Sequence, residues 1–475
     1  MTNLSADFAT QIIEFRQGTL TDGDIEQLSR LIFDYVVCAY SGSQQPASAA
    51  MRKWAAPYDG AGVSLVVGTR QRATAPVAAL VNGTTAHSYE LDDTHDATLS
   101  HPGSVVISAA LAVASQQNSS GSEFLRAVVA GYEAMSRVGL AANAGEVIEF
   151  GFHPTAAFGG FGAAAAAAAL KGLPLDNLLT AWGHVLSMAA GSMQFSDETE
   201  GTAIKRVHAG YAAQQGVLAA EMSEAGIGAP HRSIEGKYGF LKLYTRRPRP
   251  ELLSREADKL AIHNISFKPY ACCRQFHSVI DALAEVTDSF TSTDIVGLTV
   301  RGPRVLSDQH MLMRPTSPMA AQYSLPFVVG ATLEFGPTNF DAFSDENLNH
   351  EKILHWADML KVESSDEIQA HYPDHFGSEV EASFTGGKVR TKRVLDSRGT
   401  PGNPFSWKNL TDKVENLTAK CRPQLEIAKL QTIVGALNAS KSIRDLEDVL
   451  AVDVGAPLTD DEGCFAPEIA SRATA

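Results

Sequence analysis

Two stretches decide how this chain folds: HSYELDDTHDATLSHPGSVVISAALAVASQQ over residues 87–117 and GFHPTAAFGGFGAAAAAAALKG over residues 151–172. Each places a His-Pro dipeptide, His101-Pro102 and His153-Pro154, at the start of a run of small apolar residues. Proline pushes the residue before it out of the helical region and itself fits the first helical turn. Both histidines are therefore expected at helix N-termini. The runs that follow show no polar face, so they read as central helices of a compact bundle, buried on all sides. A third cationic element, Lys205-Arg206-Val207-His208, precedes a similar run, AGYAAQQGVLAAEMSEAG. Helix starts offer free N–H groups and the positive end of the helix dipole. Three such ends carrying His or Lys predict a pocket for a small polyanion.

Working outward, helical spacing covers residues 24–40, 74–88 (with an interruption at Asn82-Gly83), 122–142, 154–171, 175–189 and 209–225. The texture changes near residue 260. Residues 260–267, 295–301, 379–384 and 389–394 alternate like strands, the last two joined through Gly386-Gly387 as a hairpin. Residues 274–286 and 320–330 read as helices between them, and helical pattern returns at 410–420, 423–438 and 443–449. The expected fold is mainly α with an α+β part. A large all-helical domain is built from both chain ends, residues 1–264 and 401–455. A smaller α/β lid domain is inserted at 265–400, and residues 456–475 form a loose tail. The cleft between the two domains is the default ligand site.

A chain of 475 residues exceeds one hydrophobic core, and 44% hydrophobic residues is ordinary for a globular protein. The net charge of −15 argues against nucleic acid or an anionic membrane as partner, though not against a small anion in a locally basic pocket. The five cysteines, Cys38, Cys272, Cys273, Cys421 and Cys464, show no zinc-ligand spacing. Cys38 reads as core and the Cys272-Cys273 pair as loop packing. No signal peptide pattern opens the chain, and the Ala/Gly run is too short to span a membrane, so a cytoplasmic location is expected.

The cationic candidates for chemistry are His101, His153, Lys205 and Lys268, with His208 and His277 behind them and Tyr323 as a proton donor. The acidic segment around Glu90, Asp92, Asp93, His95 and Asp96 has two active readings. It could hold a divalent metal with His87, His95 and His101, the His95-Asp96 pair resembling that of helical metal-dependent phosphohydrolases. Alternatively, its carboxylates orient the histidines and tune them. No HExxH spacing, Walker loop or strand-linked GxGxxG is present.

Five segments then occur in order: HSYELDDTHDATLSHPGSVV, GFHPTAAFGGFGAAAAAA, AIKRVHAGYAAQQG, ISFKPYACCRQFHSVIDAL and AAQYSLPFVVG. On these the chain resembles the MmgE/PrpD family, from about residue 5 to residue 450. Members include 2-methylcitrate dehydratase, cis-aconitate decarboxylase and iminodisuccinate epimerase. The resemblance implies a helical domain with a smaller α/β lid, a homodimer, and chemistry on small di- or tricarboxylates with no metal and no cofactor. Carried over by motif, the site comprises Asp93, Thr94, His101, His153, Lys205, Lys268 and Tyr323, with His208 and His277 close by. Glu90 departs from the pattern, since the acidic motif often begins with Asp. The expected activity is that of a hydro-lyase on an acid of 2-methylcitrate type. Epimerisation or decarboxylation at the same groups is the alternative, and a metal-dependent phosphohydrolase is the alternative of another class.

Overall fold

In the computed structural model, the helix Pro154–Leu170 is buried continuously from Pro154 to Ala168. It carries no charge, so no face of it favours water. Four helices surround it: Pro102–Gln117, Gly121–Ala142, Leu175–Met188 and Ile204–Glu224. The residues described are 3–197, 202–254, 259–288, 294–418, 421 and 423–453. The expected tail at 456–475 and Cys464 lie outside them.

One apolar cluster runs from Phe8 to Ala271 and resumes from Phe405 to Leu450, so both ends of the chain build the same core. A second cluster gathers residues from Tyr270 to Phe384 around a four-stranded sheet. In spatial order its strands are Leu360–Ser364, Ile295–Gly302, Ser378–Phe384 and Val389–Val394. The first pair is parallel and the others antiparallel. Ser378–Phe384 alternates between buried and half-buried residues, and helix His277–Val286 packs on the sheet. The expected hairpin is present, turning at Gly386 and Gly387, whose φ values of 84° and 81° suit glycine.

Several boundaries differ from the sequence reading, each for a physical reason. The helix Ala75–Ala86 runs through Asn82-Gly83 without interruption. The Asn82 amide is satisfied by the Leu65 carbonyl and the Val67 amide, both at 2.9 Å, so it does not compete with the helix. Residues 260–267 form no strand. A 3₁₀ turn, Ala261–Asn264, is followed by a single bridge from Ser266 to Thr94. The apolar side chains that mimic alternation there, Ile262, Ile265 and Phe267, are buried in the helical core. The 320–330 helix is two helices, Pro318–Gln322 and Leu325–Phe335, because Ser324 caps the second by accepting from the Phe327 amide. The helix expected at 209–225 begins at Ile204, so Lys205 and His208 lie inside its first turns rather than before it. Thr21, with Asp24 in a capping box, starts the helix Asp22–Gly42. Among the described residues no helix is long and apolar enough to cross a membrane.

The crossing of Ala75–Ala86 with Ile204–Glu224 matters most for the site. A Cβ on Gly83 would lie 2.8 Å from Gly210 Cα, so only glycine lets these backbones approach this closely. The first helix ends at His87 and the second begins beside Lys205, so this contact sets their separation. Gly83→Ala is expected to destabilise the protein by about 1–3 kcal/mol through overpacking. Gly145→Ala, in helix Ala144–Glu149 where an added Cβ meets nothing within 4 Å, is expected to be neutral or stabilising. Urea denaturation of the two variants checks the contrast.

Candidate active site

Both His-Pro histidines are N-cap residues with proline in the first turn, as the sequence implies. Neither ring caps its own helix, so both are free to face inward. His87, at the C-cap of Ala75–Ala86, lies between them, with ring centroids 4.5 Å from His101 and 6.5 Å from His153. His208 Nδ1 lies 3.1 Å from His153 Nδ1, so one nitrogen carries the shared proton and the other accepts it. Burial pushes the pKa of His87 down to about 3 and that of His208 to about 4, and Lys205 adds to both. His153 is depressed by burial, and then by Lys205 and His208. These three imidazoles are neutral at pH 7.

Glu90 is the hub of the cluster. It sits in a turn with φ of 60°, a left-handed conformation uncommon outside glycine and asparagine. Its carboxylate accepts from Lys205 Nζ at 2.6 Å, from Lys268 Nζ at 3.3 Å, from the Tyr323 hydroxyl at 2.9 Å and from Arg206 Nη1. His101 Nε2 is 3.8 Å away. Burial alone would raise the pKa of Glu90, but Lys205, Lys268 and Arg206 outweigh it and hold the acid well below the usual range. Burial lowers the pKa of Lys205 to about 8, with Glu90 opposing and the neighbouring cations reinforcing the fall. Tyr323 is kept a neutral phenol by burial and by the Glu90 charge. Arg206 also donates from Nη2 to Gln322 Oε1 at 2.5 Å, tying the helical core to the segment that carries Tyr323.

A second carboxylate, Asp92, faces the histidines. His87 Nδ1 donates to its Oδ2 at 2.8 Å, which fixes the tautomer and leaves His87 Nε2 to accept from Lys205 Nζ at 3.3 Å. His101 Nδ1 lies 3.3 Å from the same oxygen without hydrogen-bond alignment, and Asp92 Oδ1 is buried and unpartnered. Burial would raise the pKa of Asp92, but the two imidazoles keep it ionised. His87, Asp92 and His101 can present ligand atoms within 4.8 Å of one another. A divalent ion there would share its surroundings with Lys205, Lys268 and Arg206, an unfavourable field. The other half of the metal reading does not assemble, because Asp96 is taken by Thr94, Ser266 and Arg274.

The structure thus brings Glu90, His101, His153, Lys205, Lys268, Tyr323 and His208 into one cluster. Asp93, Thr94 and His277 make no hydrogen bond to it, although the Lys268 charge helps depress the His277 imidazole after burial and Arg274. Asp93 accepts from the Gly103 amide at 2.7 Å and the Tyr132 hydroxyl at 2.6 Å, holding the helix start beneath His101. Thr94 pairs with Ser266 through the backbone, which fixes the segment leading to Lys268. His277 is buried against the Tyr270 ring with both nitrogens unpartnered. His87 and Asp92, read from sequence either as metal ligands or as an imidazole and the carboxylate that orients it, meet in the second of these arrangements. Arg206 and Gln322 also belong to the cluster, although the sequence reading names them only within the cationic element 205–208 and the segment around Tyr323.

The fold and the site together define a mainly helical protein with a buried, cation-rich cluster built at converging helix ends. The chain belongs to the MmgE/PrpD family: residues 6–253 match its N-terminal domain and residues 270–439 its C-terminal domain. It is 26% identical to a cis-aconitate decarboxylase-like protein of Aspergillus oryzae, over 95% of this chain and 98% of that protein. It is 25% identical to the cis-aconitate decarboxylase of Aspergillus terreus, over 96% and 98%. With the cis-aconitate decarboxylase of Homo sapiens it shares 26% identity, over 100% and 97%.

Asp93 yields a prediction of its own. Burial raises its pKa to about 7, so the folded state keeps a proton there that the unfolded state releases near pH 4. Its contribution to stability is therefore full below about pH 4 and is lost as the pH rises to about 7. Asp93→Asn is expected to flatten this loss, keeping the Gly103 bond through its carbonyl oxygen while its amide N–H can only donate to the Tyr132 oxygen. Asp93→Ala, which strands the Gly103 amide and the Tyr132 hydroxyl, is expected to cost about 1–3 kcal/mol per stranded group. Denaturation midpoints between pH 4 and pH 8 check both.

Proposed function

We propose that this protein is a lyase acting on a small di- or tricarboxylate, through proton transfer at a carbon next to a carboxylate and without a bound cofactor. The observation that carries the reading is the convergence of Lys205, Arg206 and Lys268 on one buried carboxylate, with His101 beside it. Carbanion or enolate character beside a carboxylate is the barrier in such reactions, and fixed cations in a dry pocket stabilise that charge. The substrate carboxylates bind Lys205, Lys268 and the helix starts at His101 and His153. His101, set against Asp92, removes the proton, and His153 or Tyr323 is the acid.

In a hydro-lyase on an acid of 2-methylcitrate type, the C–H electron pair forms the double bond. The hydroxyl leaves as water with the proton supplied by the acid. The names of the curated relatives favour a second outcome at the same groups, decarboxylation of a cis-aconitate-like acid. There the C–C pair moves into the unsaturated acid as CO2 departs, and the acid protonates carbon. An epimerase would return a proton to the opposite face. We also propose that the sheet-containing unit acts as a lid and that the protein is a homodimer. Ile204, Tyr211 and Leu218, exposed at seven-residue spacing along one helix, support the dimer.

Proton NMR in D2O with 2-methylcitrate, citrate, cis-aconitate and iminodisuccinate, with and without chelator, tests the reading. Solvent deuterium entering beside a carboxylate, insensitive to chelator, is the expected result, and the product distinguishes the reactions. No exchange on any of the four would overturn it. His101→Ala is expected to lower kcat/KM by about 10²–10⁴-fold with the fold intact. Lys205 is protonated below its pKa of about 8, so kcat/KM is expected to fall above that pH. In Lys205→Arg that alkaline limb should move upward or vanish.

A further inference from the structure

The turn that carries Glu90 and Asp92 is held from behind. Lys413, on the returning helix Trp407–Thr418, donates from Nζ to the Leu91 carbonyl at 2.7 Å and to Asp34 Oδ1 at 2.6 Å. Leu91 is the residue between the two carboxylates, and its side chain is 0% exposed in the helical core. The side chains of Lys413 and Asp34 are 3% and 2% exposed. The Leu91 carbonyl and the Asp92 amide share one rigid peptide plane. Anchoring that oxygen therefore fixes the direction in which the chain enters Asp92, and with the Leu91 side chain locked in the core it restrains the turn that Glu90 begins. Glu90 occupies a left-handed conformation that persists only where the surroundings impose it.

We infer that Lys413 is a positioning residue: through the Leu91 carbonyl it sets how Glu90 meets Lys205 and Lys268 and how Asp92 meets His87. The inference rests on the proposed reading of this cluster as the active site. A buried ion pair is poor evidence of stability, because well-packed apolar residues can often replace it. What an apolar pair could not do is donate a hydrogen bond to Leu91. Burial would lower the pKa of the Lys413 ammonium, but Asp34 outweighs it and keeps the donor charged.

Two neutral double variants of the full chain isolate the donor. Asp34→Asn/Lys413→Met removes both charges and the hydrogen bond to Leu91. Asp34→Asn/Lys413→Gln removes both charges but keeps an amide donor. The readouts are the thermal midpoint, the downfield proton resonance of the His87 Nδ1–H that Asp92 accepts, observed on ¹⁵N-histidine-labelled protein, and turnover on the four acids above. The two doubles are expected to have similar midpoints. The Met double should shift or broaden the His87 resonance and lose at least about tenfold in kcat with little change in KM. The Gln double should stay close to the native protein in both. Native resonance and native kcat in the Met double would overturn the inference, as would equal losses in the two doubles. If the native protein shows the resonance and the Met double moves it, but none of the acids is turned over, the functional reading falls and the positioning role stands. Lys413→Arg, which keeps charge and donor, serves if neither double folds. A native His87 resonance and native kcat are then expected, and a lost kcat with a native resonance would also overturn it.

Discussion

The Glu90 carboxylate takes hydrogen bonds from Lys205, Arg206, Lys268 and Tyr323 while only 1% of the residue is exposed. Buried cations without a partner carry a desolvation penalty far larger than a domain's net stability. Without this acid, three cationic side chains would face one another in the core with no carboxylate to offset them. With it, they are held close together before any ligand arrives. That preorganisation is what a reaction building negative charge next to a carboxylate requires.

The array exists because the helices can come close. Alanine and glycine along Pro154–Leu170 and at the Gly83–Gly210 crossing remove side-chain bulk, so helix ends meet where side chains would normally fill the space. His101, His153 and Lys205 each sit at such an end. The core thus does two jobs with the same residues. Its burial of apolar surface stabilises the fold, and its tightness aims the polar residues at its rim into a common volume.

Electrostatic roles divide by environment rather than by residue type. Glu90 and Asp92 are ionised because cations or imidazoles face them, whereas Asp93, one residue on, has its pKa raised to about 7 by burial with only neutral donors. His87 stays neutral because burial, helped by the Lys205 charge, lowers its pKa to about 3 against the opposing pull of Asp92. Adjacent residues in the chain therefore do different work: one carboxylate gathers cations, one orients imidazoles, and one secures a helix start.

Much of this was legible in the chain itself. Proline stereochemistry is local, so His101-Pro102 and His153-Pro154 announced helix starts without any tertiary information. All-round apolarity announced the buried central helix, and the Gly-Gly turn announced the hairpin. Which polar side chains meet was decided by packing across long sequence separations. Asp93 and Thr94 are neighbours of the site by sequence, yet Gly103, Tyr132 and Ser266 turn them to structural tasks. Arg206 and Gln322 are 116 residues apart and join only when the sheet-containing segment folds against the helical core. Lys413 lies 322 residues from the carbonyl it holds, and no local pattern marks it. Local backbone preference fixed where helices begin, because it acts between adjacent residues; the direction of each buried charge was left to the tertiary structure, because only there does a partner exist to compensate it.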